Sequence, residues 1–341
     1  MKVLVTGGAG FIGSHVIDAL VDAGLRIVCV DSLDPGVHHG QPSYLRPDVD
    51  YDFTDLRHFT PDARFDDVDA IVHLAALGGV ARAAREPANI VAANCAGTAR
   101  LVEAARRWSR LRRVVLASSF SVYGANYIYR CTRCGRRGDG ARHAPDLDAG
   151  RFEVRCRSCG ADGEIQPITE AAQPDPLETY GASKYMQELC FRGFPACPVS
   201  ILRFSSVYGV RLRLDDGEAT IIARIAGWIR GGERPKLFED GQQIRDWVFV
   251  GDVVAAILAV LEGVGAHPVI NVCSGVPTRL VEACERIAEA LGVDCSPQVV
   301  GGYRPGDMRH CLGDASALRA LLGRDPLAFK DGVDMAFGRG V

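Results

Sequence analysis

Residues 1–15 read MKVLVTGGAGFIGSH, and this stretch decides the fold. Val3-Leu4-Val5 is an apolar run of the length of a buried strand, and a helical pattern runs from about Phe11 to Ala23. The glycines between them therefore form a strand-to-helix turn. Gly8, Gly10 and Gly13 satisfy G-x-G-x-x-G, and Gly7, Gly10 and Gly13 satisfy the related spacing of three. Glycine is required there because the turn is tight and the backbone must approach a pyrophosphate closely. The helix beginning with Phe11 and Ile12 points its free amides at that anion. Asp31 stands 18 residues beyond Gly13, at the end of the second strand, Arg26 to Val30. An acid in that position accepts from both ribose hydroxyls of NAD and repels the extra phosphate of NADP. The plainer alternative is a packing turn followed by a surface aspartate.

Outward from this unit, the strand Ala70 to His73, a long helix near Asn89 to Trp108 and the strand Arg113 to Ala117 continue the alternation. A further helix follows Tyr180, and Val199 to Phe204 is another buried strand. Strand and helix in regular alternation mean an α/β fold: a doubly wound parallel sheet of the Rossmann type. After about Tyr208 the pattern loosens, as expected of a smaller mixed α/β domain. We assign residues 1–205 to the dinucleotide unit, with an insertion over 126–167, and residues 206–341 to substrate binding. A length of 341 residues suits two domains at roughly 150 residues each. The 48% hydrophobic and 24% charged content excludes disorder. A net charge of −3 argues against a protein built to coat nucleic acid or an anionic membrane. No apolar run approaches the ~18 residues of a membrane span. The first strand begins at Lys2, with no room for a signal peptide before it, so a cytoplasmic protein with reduced cysteines is expected.

Tyr180-Gly181-Ala182-Ser183-Lys184 is a Y-x-x-x-K, which on a helix puts phenol and ammonium on one face. A free tyrosine titrates near pH 10, so a useful base at neutral pH needs about 4 kcal/mol of help. A neighbouring ammonium and a positive nicotinamide ring both push in that direction. With the glycine turn and the segment Ala117-Ser118-Ser119-Phe120-Ser121-Val122-Tyr123-Gly124, the chain resembles the extended short-chain dehydrogenase/reductases, and within them the nucleotide-sugar epimerases and dehydratases. The resemblance implies that Ser119, four residues before Tyr123, is the catalytic hydroxyl beside Tyr180 and Lys184. It implies that Asp52 and Phe53 contact adenine, that Leu74, Ala75 and Ala76 line the cofactor, that Asn94 braces it, and that Phe204 lies under the nicotinamide. Ser119, Ser121, Ser206, Phe238, Arg245, Arg304 and Asp307 then fall on the nucleotide-sugar side. Two guanidinium forks suit a diphosphate. Taken singly, either arginine could equally be a solvated surface charge.

Two departures from the family pattern stand out. Ser206 occupies the position where the family usually carries Asn. Phe120 and Ser121 stand where 4,6-dehydratases carry an Asp-Glu pair. Elimination of water needs a base and an acid, which would have to come from elsewhere, such as Asp215 or Asp216. The resemblance therefore implies an NAD-dependent 4-epimerase of a nucleotide sugar. The alternatives are a dehydratase, an oxidoreductase of the same family, or a non-catalytic NAD sensor. The family also implies a homodimer, through helices near Asn94 to Trp108 and after Tyr180, with Leu101, Val102, Ala104 and Ala105 to bury.

The insertion carries Cys131-Thr132-Arg133-Cys134-Gly135 and Cys156-Arg157-Ser158-Cys159-Gly160, two C-x-x-C-G knuckles with 21 residues between them. Two such pairs complete a tetrahedral four-thiolate site for structural zinc, with no open position for catalysis. Redox disulfides or unpaired thiols are the alternatives. From Arg130 to Arg157 the insertion holds eight arginines against four acids, which leaves a basic lid over an anionic substrate and a solvated ribbon surface both open. No aromatic stacking platform accompanies the charge, so nucleic acid is not expected as a partner. A similar ribbon followed by F-E-D-G-x-x-x-R-D, here Phe238 to Asp246, occurs in a subgroup resembling dTDP-L-rhamnose 4-epimerase.

Overall fold

The computed structural model describes residues 1–124, 128–139, 142–214, 220–263, 268–304 and 308–338. The opening strand β1 (Lys2–Thr6) pairs in parallel with β2 (Arg26–Val30) on one side and with β4 (Ala70–His73) on the other. Beyond β2 lies the short β3 (Asp50–Asp52); beyond β4 come β5 (Arg113–Ser119) and β9 (Val199–Phe204). The far edge is Val269–Val272, strand β13, which pairs with β9. All seven strands are parallel, in the order β13-β9-β5-β4-β1-β2-β3. Strand order reverses between β1 and β4, and the crevice outside the carboxyl ends there is where a doubly wound sheet binds ligand.

The domain boundary expected at 205/206 needs correction. Helix α8 (Val250–Glu262) and β13 return from the second half of the sequence to the first sheet, so the dinucleotide unit borrows residues far beyond 205. The mixed second unit holds a three-stranded sheet of β10 (Ser206–Tyr208), β12 (Ile244–Phe249) and β14 (Pro277–Arg279).

Period-two alternation divides the core between the sheet's two faces. Val3 and Val5 turn to the side covered by α1 (Phe11–Asp22) and α8, with Ile17, Leu20, Val253 and Ile257 packed between. Leu4 turns to the side covered by α4 (Gly97–Ala105) and α6 (Thr179–Phe191). Leu101, Val102, Ala104 and Ala105 are buried there against the protein's own sheet. They are therefore spent within one chain, contrary to the expectation that they offer an apolar surface to a second copy. The 126–167 insertion forms a sheet of its own, with β6 (Ile128–Cys131) between β7 (Arg137–Asp139) and β8 (Gly163–Ile165).

Candidate active site

The carboxyl ends of β1, β2, β4, β5 and β9 open into one cleft. Gly7, Gly10, Phe11, Ile12 and Gly13 form its floor, with Asp31 at one end and Tyr180, Lys184 and Phe204 at the other. Leu74, Ala75, Ala76 and Asn94 complete the wall. A side chain at Gly13 would bring its β-carbon to 2.1 Å from the Gly7 carbonyl, so helix α1 can start this close to β1 only with glycine. Gly10 gives α1 no side-chain cap, which leaves its first amides facing the cleft. Asp31 is buried; it accepts from the Ala9 and Leu33 amides, both at 2.9 Å, one on each carboxylate oxygen. Each oxygen keeps a lone pair for a ribose hydroxyl. These uncapped amides and the carboxylate at the end of β2 fit a dinucleotide.

One pair falls elsewhere. Phe53 stacks on Tyr51 at 5.6 Å and is exposed, and Asp52 accepts from Thr54 and Arg64. The cleft wall expected of them is built by the next three residues, Thr54, Asp55 and Leu56. Asp34, Val37 and His38, from the loop after β2, also line the cleft and were not anticipated.

At the other end, Glu178 caps α6 by accepting from the amides of Tyr180 and Gly181 at 2.6 and 2.7 Å. A β-carbon on Gly181 would sit 2.4 Å from the Ser121 carbonyl, so this glycine lets the helix press against the end of β5. That approach brings the Tyr180 phenol toward Ser119, whose hydroxyl accepts from the Ser121 amide. Asn94, fully buried in a π-helical turn (Ala92–Ala96), braces the arrangement. It bonds both backbone groups of Leu77 and donates to the Ser183 hydroxyl, which donates to the Tyr180 carbonyl. Lys184 donates to Gln187 at 2.5 Å, and Gln187 donates onward to Thr98 and the Ala75 carbonyl.

The electrostatics of the chain itself differ from the expectation that Lys184 lowers the phenol. Burial pushes Tyr180 up to about 12, opposed by the nearby Ser119 hydroxyl, and burial pushes Lys184 down to about 7, opposed by Glu188. Desolvation dominates because it disfavours the charged form of each group.

Toward the second unit, Phe238 is exposed and carries the Arg304 guanidinium 5.1 Å from its ring centre. Arg245 does not stand free as a fork. It donates to the carbonyls of Ile244, Met308 and Arg309 and so pins the 308–309 backbone. Ser206 lies on β10 opposite Trp247, half-buried. Asp307, Asp215 and Asp216 lie outside the described residues. Phe120 is turned away from the cleft, buried in an edge-to-face contact with Tyr123, and Ser121 is half-buried.

The four ribbon sulfurs of Cys131, Cys134, Cys156 and Cys159 lie within 4.8 Å of one another, with Cys131–Cys159 at 3.4 Å and Cys134–Cys156 at 3.7 Å. A tetrahedral zinc with Zn–S near 2.3 Å has S–S edges of about 3.8 Å, so the set fits that ion. The Arg133 and Cys134 amides both point at the Cys131 sulfur, as a thiolate knuckle requires.

The model of the NAD dependent epimerase/dehydratase family matches residues 3–133 and 154–273. A dTDP-L-rhamnose 4-epimerase from Burkholderia thailandensis is 32% identical over 339 residues, 95% of this chain and 90% of that relative. The crystal structure of a UDP-glucose 4-epimerase from Thermotoga maritima with UDP-glucose superposes with a TM-score of 0.78 at 26% identity, covering 99% of this chain and 97% of that one. A Thermus thermophilus UDP-glucose 4-epimerase in complex with NAD gives 0.76 at 25% identity, covering 99% and 98%.

The buried lysine makes a pH prediction for nucleotide-free protein. Because folding lowers the Lys184 pKa from 10.5 to about 7, the unfolded chain binds the extra proton between those values. Stability should therefore rise with pH in that window, by at most about 1.4 kcal/mol per pH unit from this group. In urea denaturation at pH 7, 8 and 9, the stability of wild type relative to Lys184→Met should climb. A difference that stays flat would refute a desolvated ammonium.

Proposed function

The chain belongs to the NAD dependent epimerase/dehydratase family, and from that footing we propose that it is an NAD-dependent 4-epimerase of a nucleotide sugar. The observation that carries this is that Tyr180 and Lys184 stand together at one end of a dinucleotide cleft, at the end of the strand that carries Ser119, with no carboxylic acid at 120 or 121. The chemistry that bound NAD supplies is uptake of hydride from carbon four and its return to the opposite face of the 4-keto sugar. Tyr180 takes the hydroxyl proton at carbon four and later gives it back. Ser119 hydrogen-bonds the reacting oxygen. The Lys184 ammonium holds the ribose and offsets part of the cost that burial imposes on the phenolate. Elimination of water would need a further acid and base; Phe120 has no exchangeable proton, and the Ser121 hydroxyl is too weak. Phe238, Arg304 and Ser206 face the nucleotide sugar, and Arg245 acts on it through the backbone it pins.

Incubated with UDP- and dTDP-hexoses without added cofactor, the enzyme should give a product of unchanged mass and inverted configuration at carbon four, read by mass spectrometry and proton NMR. Tyr180→Phe should abolish the conversion and leave NAD bound. A product lighter by one water would overturn the epimerase reading.

We propose structural zinc in the four-cysteine site, supported by the sulfur geometry, and a cytoplasmic setting, supported by twelve cysteines with no disulfide among them. Metal analysis of freshly purified, reduced protein should find about one zinc per chain. The metal should be lost in the Cys131→Ser, Cys156→Ser double variant. Metal-free wild type would sink the proposal.

We also propose a homodimer. The buried residues of α4 do not support it, but exposed Val91 and Met186 do. Val91 ends helix α3 (Pro87–Val91), and Met186 lies on α6. Light scattering at micromolar concentration should give twice the chain mass, and Met186→Glu should halve it. A wild type of single-chain mass would contradict the pairing.

A further inference from the structure

The ribbon meets the rest of the molecule through an ionic cluster that the reaction does not use. Arg309 is 1% exposed, yet three carboxylates converge on it. Glu153, from the ribbon, accepts from its Nε at 2.9 Å and its Nη2 at 2.5 Å. Glu239 accepts from Nη1 at 2.6 Å, and Asp240 accepts from both terminal nitrogens at 3.0 and 2.9 Å. Ribbon Arg142 closes on the other oxygen of Glu239 at 2.6 Å, and His310 faces Glu153 at 3.0 Å. Asp148, on the ribbon helix α5 (Ala144–Asp148), accepts from the Tyr303 hydroxyl at 2.8 Å.

Three host-side members of the cluster adjoin or hold residues of the nucleotide-sugar side. Glu239 follows Phe238 and sits at φ +55, a left-handed conformation that a glutamate keeps only when its surroundings over-determine it. Here its carboxylate is held from both sides by guanidinium groups. Tyr303 precedes Arg304, whose guanidinium covers the Phe238 ring. The Arg309 carbonyl is one of those that hold Arg245. A guanidinium is rigid and planar, so it fixes the relative position of the segments whose carboxylates it forks.

We propose that the cysteine ribbon is the outer wall of the nucleotide-sugar site, and that Arg309 is the positioning residue through which the folded ribbon sets Phe238, Arg245 and Arg304 for a nucleoside diphosphate. This rests on the reading of the cleft as a nucleotide-sugar site. The ribbon then governs how tightly the nucleotide is held, while proton transfer at Ser119 and Tyr180 proceeds without it. Arg151 and Arg155 are not the means, since Arg151 bonds Asp146 and Arg155 bonds the Gly160 carbonyl within the ribbon itself.

Glu153 is the member to change, because its side chain is 42% exposed and its loss leaves Arg309 with two carboxylates. Calorimetric titration with UDP and with dTDP would compare wild type, Glu153→Gln, the Cys131→Ser, Cys156→Ser variant, and the three changes combined. Losing one charge-assisted contact in a buried cluster should weaken the nucleotide that wild type binds by about tenfold. KM for its sugar should rise in step, with kcat and NAD content unchanged. The cysteine variant should lose at least as much, and adding Glu153→Gln to it should lose nothing further, since both act through one docked ribbon. Wild-type nucleotide affinity in Glu153→Gln, losses that multiply in the combination, or a fall in kcat or NAD content would each overturn the proposal. Wild type that binds neither UDP nor dTDP would instead remove the nucleotide-sugar reading, and this inference with it.

Discussion

The arrangement at the reacting end hangs on a buried ion pair beneath it. Glu188 lies on α6 one turn beyond Lys184, and both it and Arg203 of β9 are about 95% buried. Arg203 forks the carboxylate through two nitrogens at 2.9 and 2.8 Å, and the Ser118 hydroxyl of β5 donates to it at 2.6 Å. The pair therefore fastens the helix carrying Tyr180 and Lys184 to the two strands that end at Ser119 and Phe204. A buried pair is weak evidence for net stability, because desolvation consumes most of the Coulomb gain. Its use here is register. Breaking it would strand a charge under the site, so α6 has one acceptable seat on the sheet.

The same arginine carries the constraint outward. Its guanidinium lies 4.7 Å from the Tyr123 ring centre, and the Tyr123 hydroxyl donates to Asn271 of β13 at 2.6 Å. Asn271 in turn donates to the Ile168 carbonyl, where the chain leaves the ribbon. A line of buried contacts thus joins helix α6, the last strand of the sheet and the root of the insertion, with Arg203 Nη1 left without a hydrogen-bond partner. A buried polar network specifies one arrangement more sharply the more of its members are paired, and here most of them are.

The sequence made the parts with local periodicity legible. The glycine turn, Asp31, Asn94 and the Tyr180–Lys184 pair are set by spacing on one strand or one helix, and all line the cleft. Asp52 and Phe53 stand just short of the wall that Thr54, Asp55 and Leu56 build, because β3 has only three residues and the turn chemistry after it decides which side chains reach the wall. The return of Val269–Val272 to the first sheet left no local mark, since a short apolar run does not say which sheet it joins. Arg309 was unreadable for a different reason. Arginine belongs by default at the surface, and only three carboxylates brought from distant positions justify its burial. Such a cluster exists in the fold and not in any stretch of sequence.

Phe120 joins these threads. Three strands of three or four residues cannot stand alone, so the ribbon needs both its cysteine cluster and a borrowed core. That core is Phe120, Val122 and Tyr123 of the host, packed with Tyr129 and Val154 of the ribbon and with Cys273 and Cys311. Phe120 occupies the position at which the family resemblance places an acid in 4,6-dehydratases. An ionised carboxylate there would be buried against the ribbon's root at a cost of several kcal/mol unless it was paired. The side chain that seats the insertion is thus an apolar one, and seating the ribbon there leaves no buried acid in need of a partner.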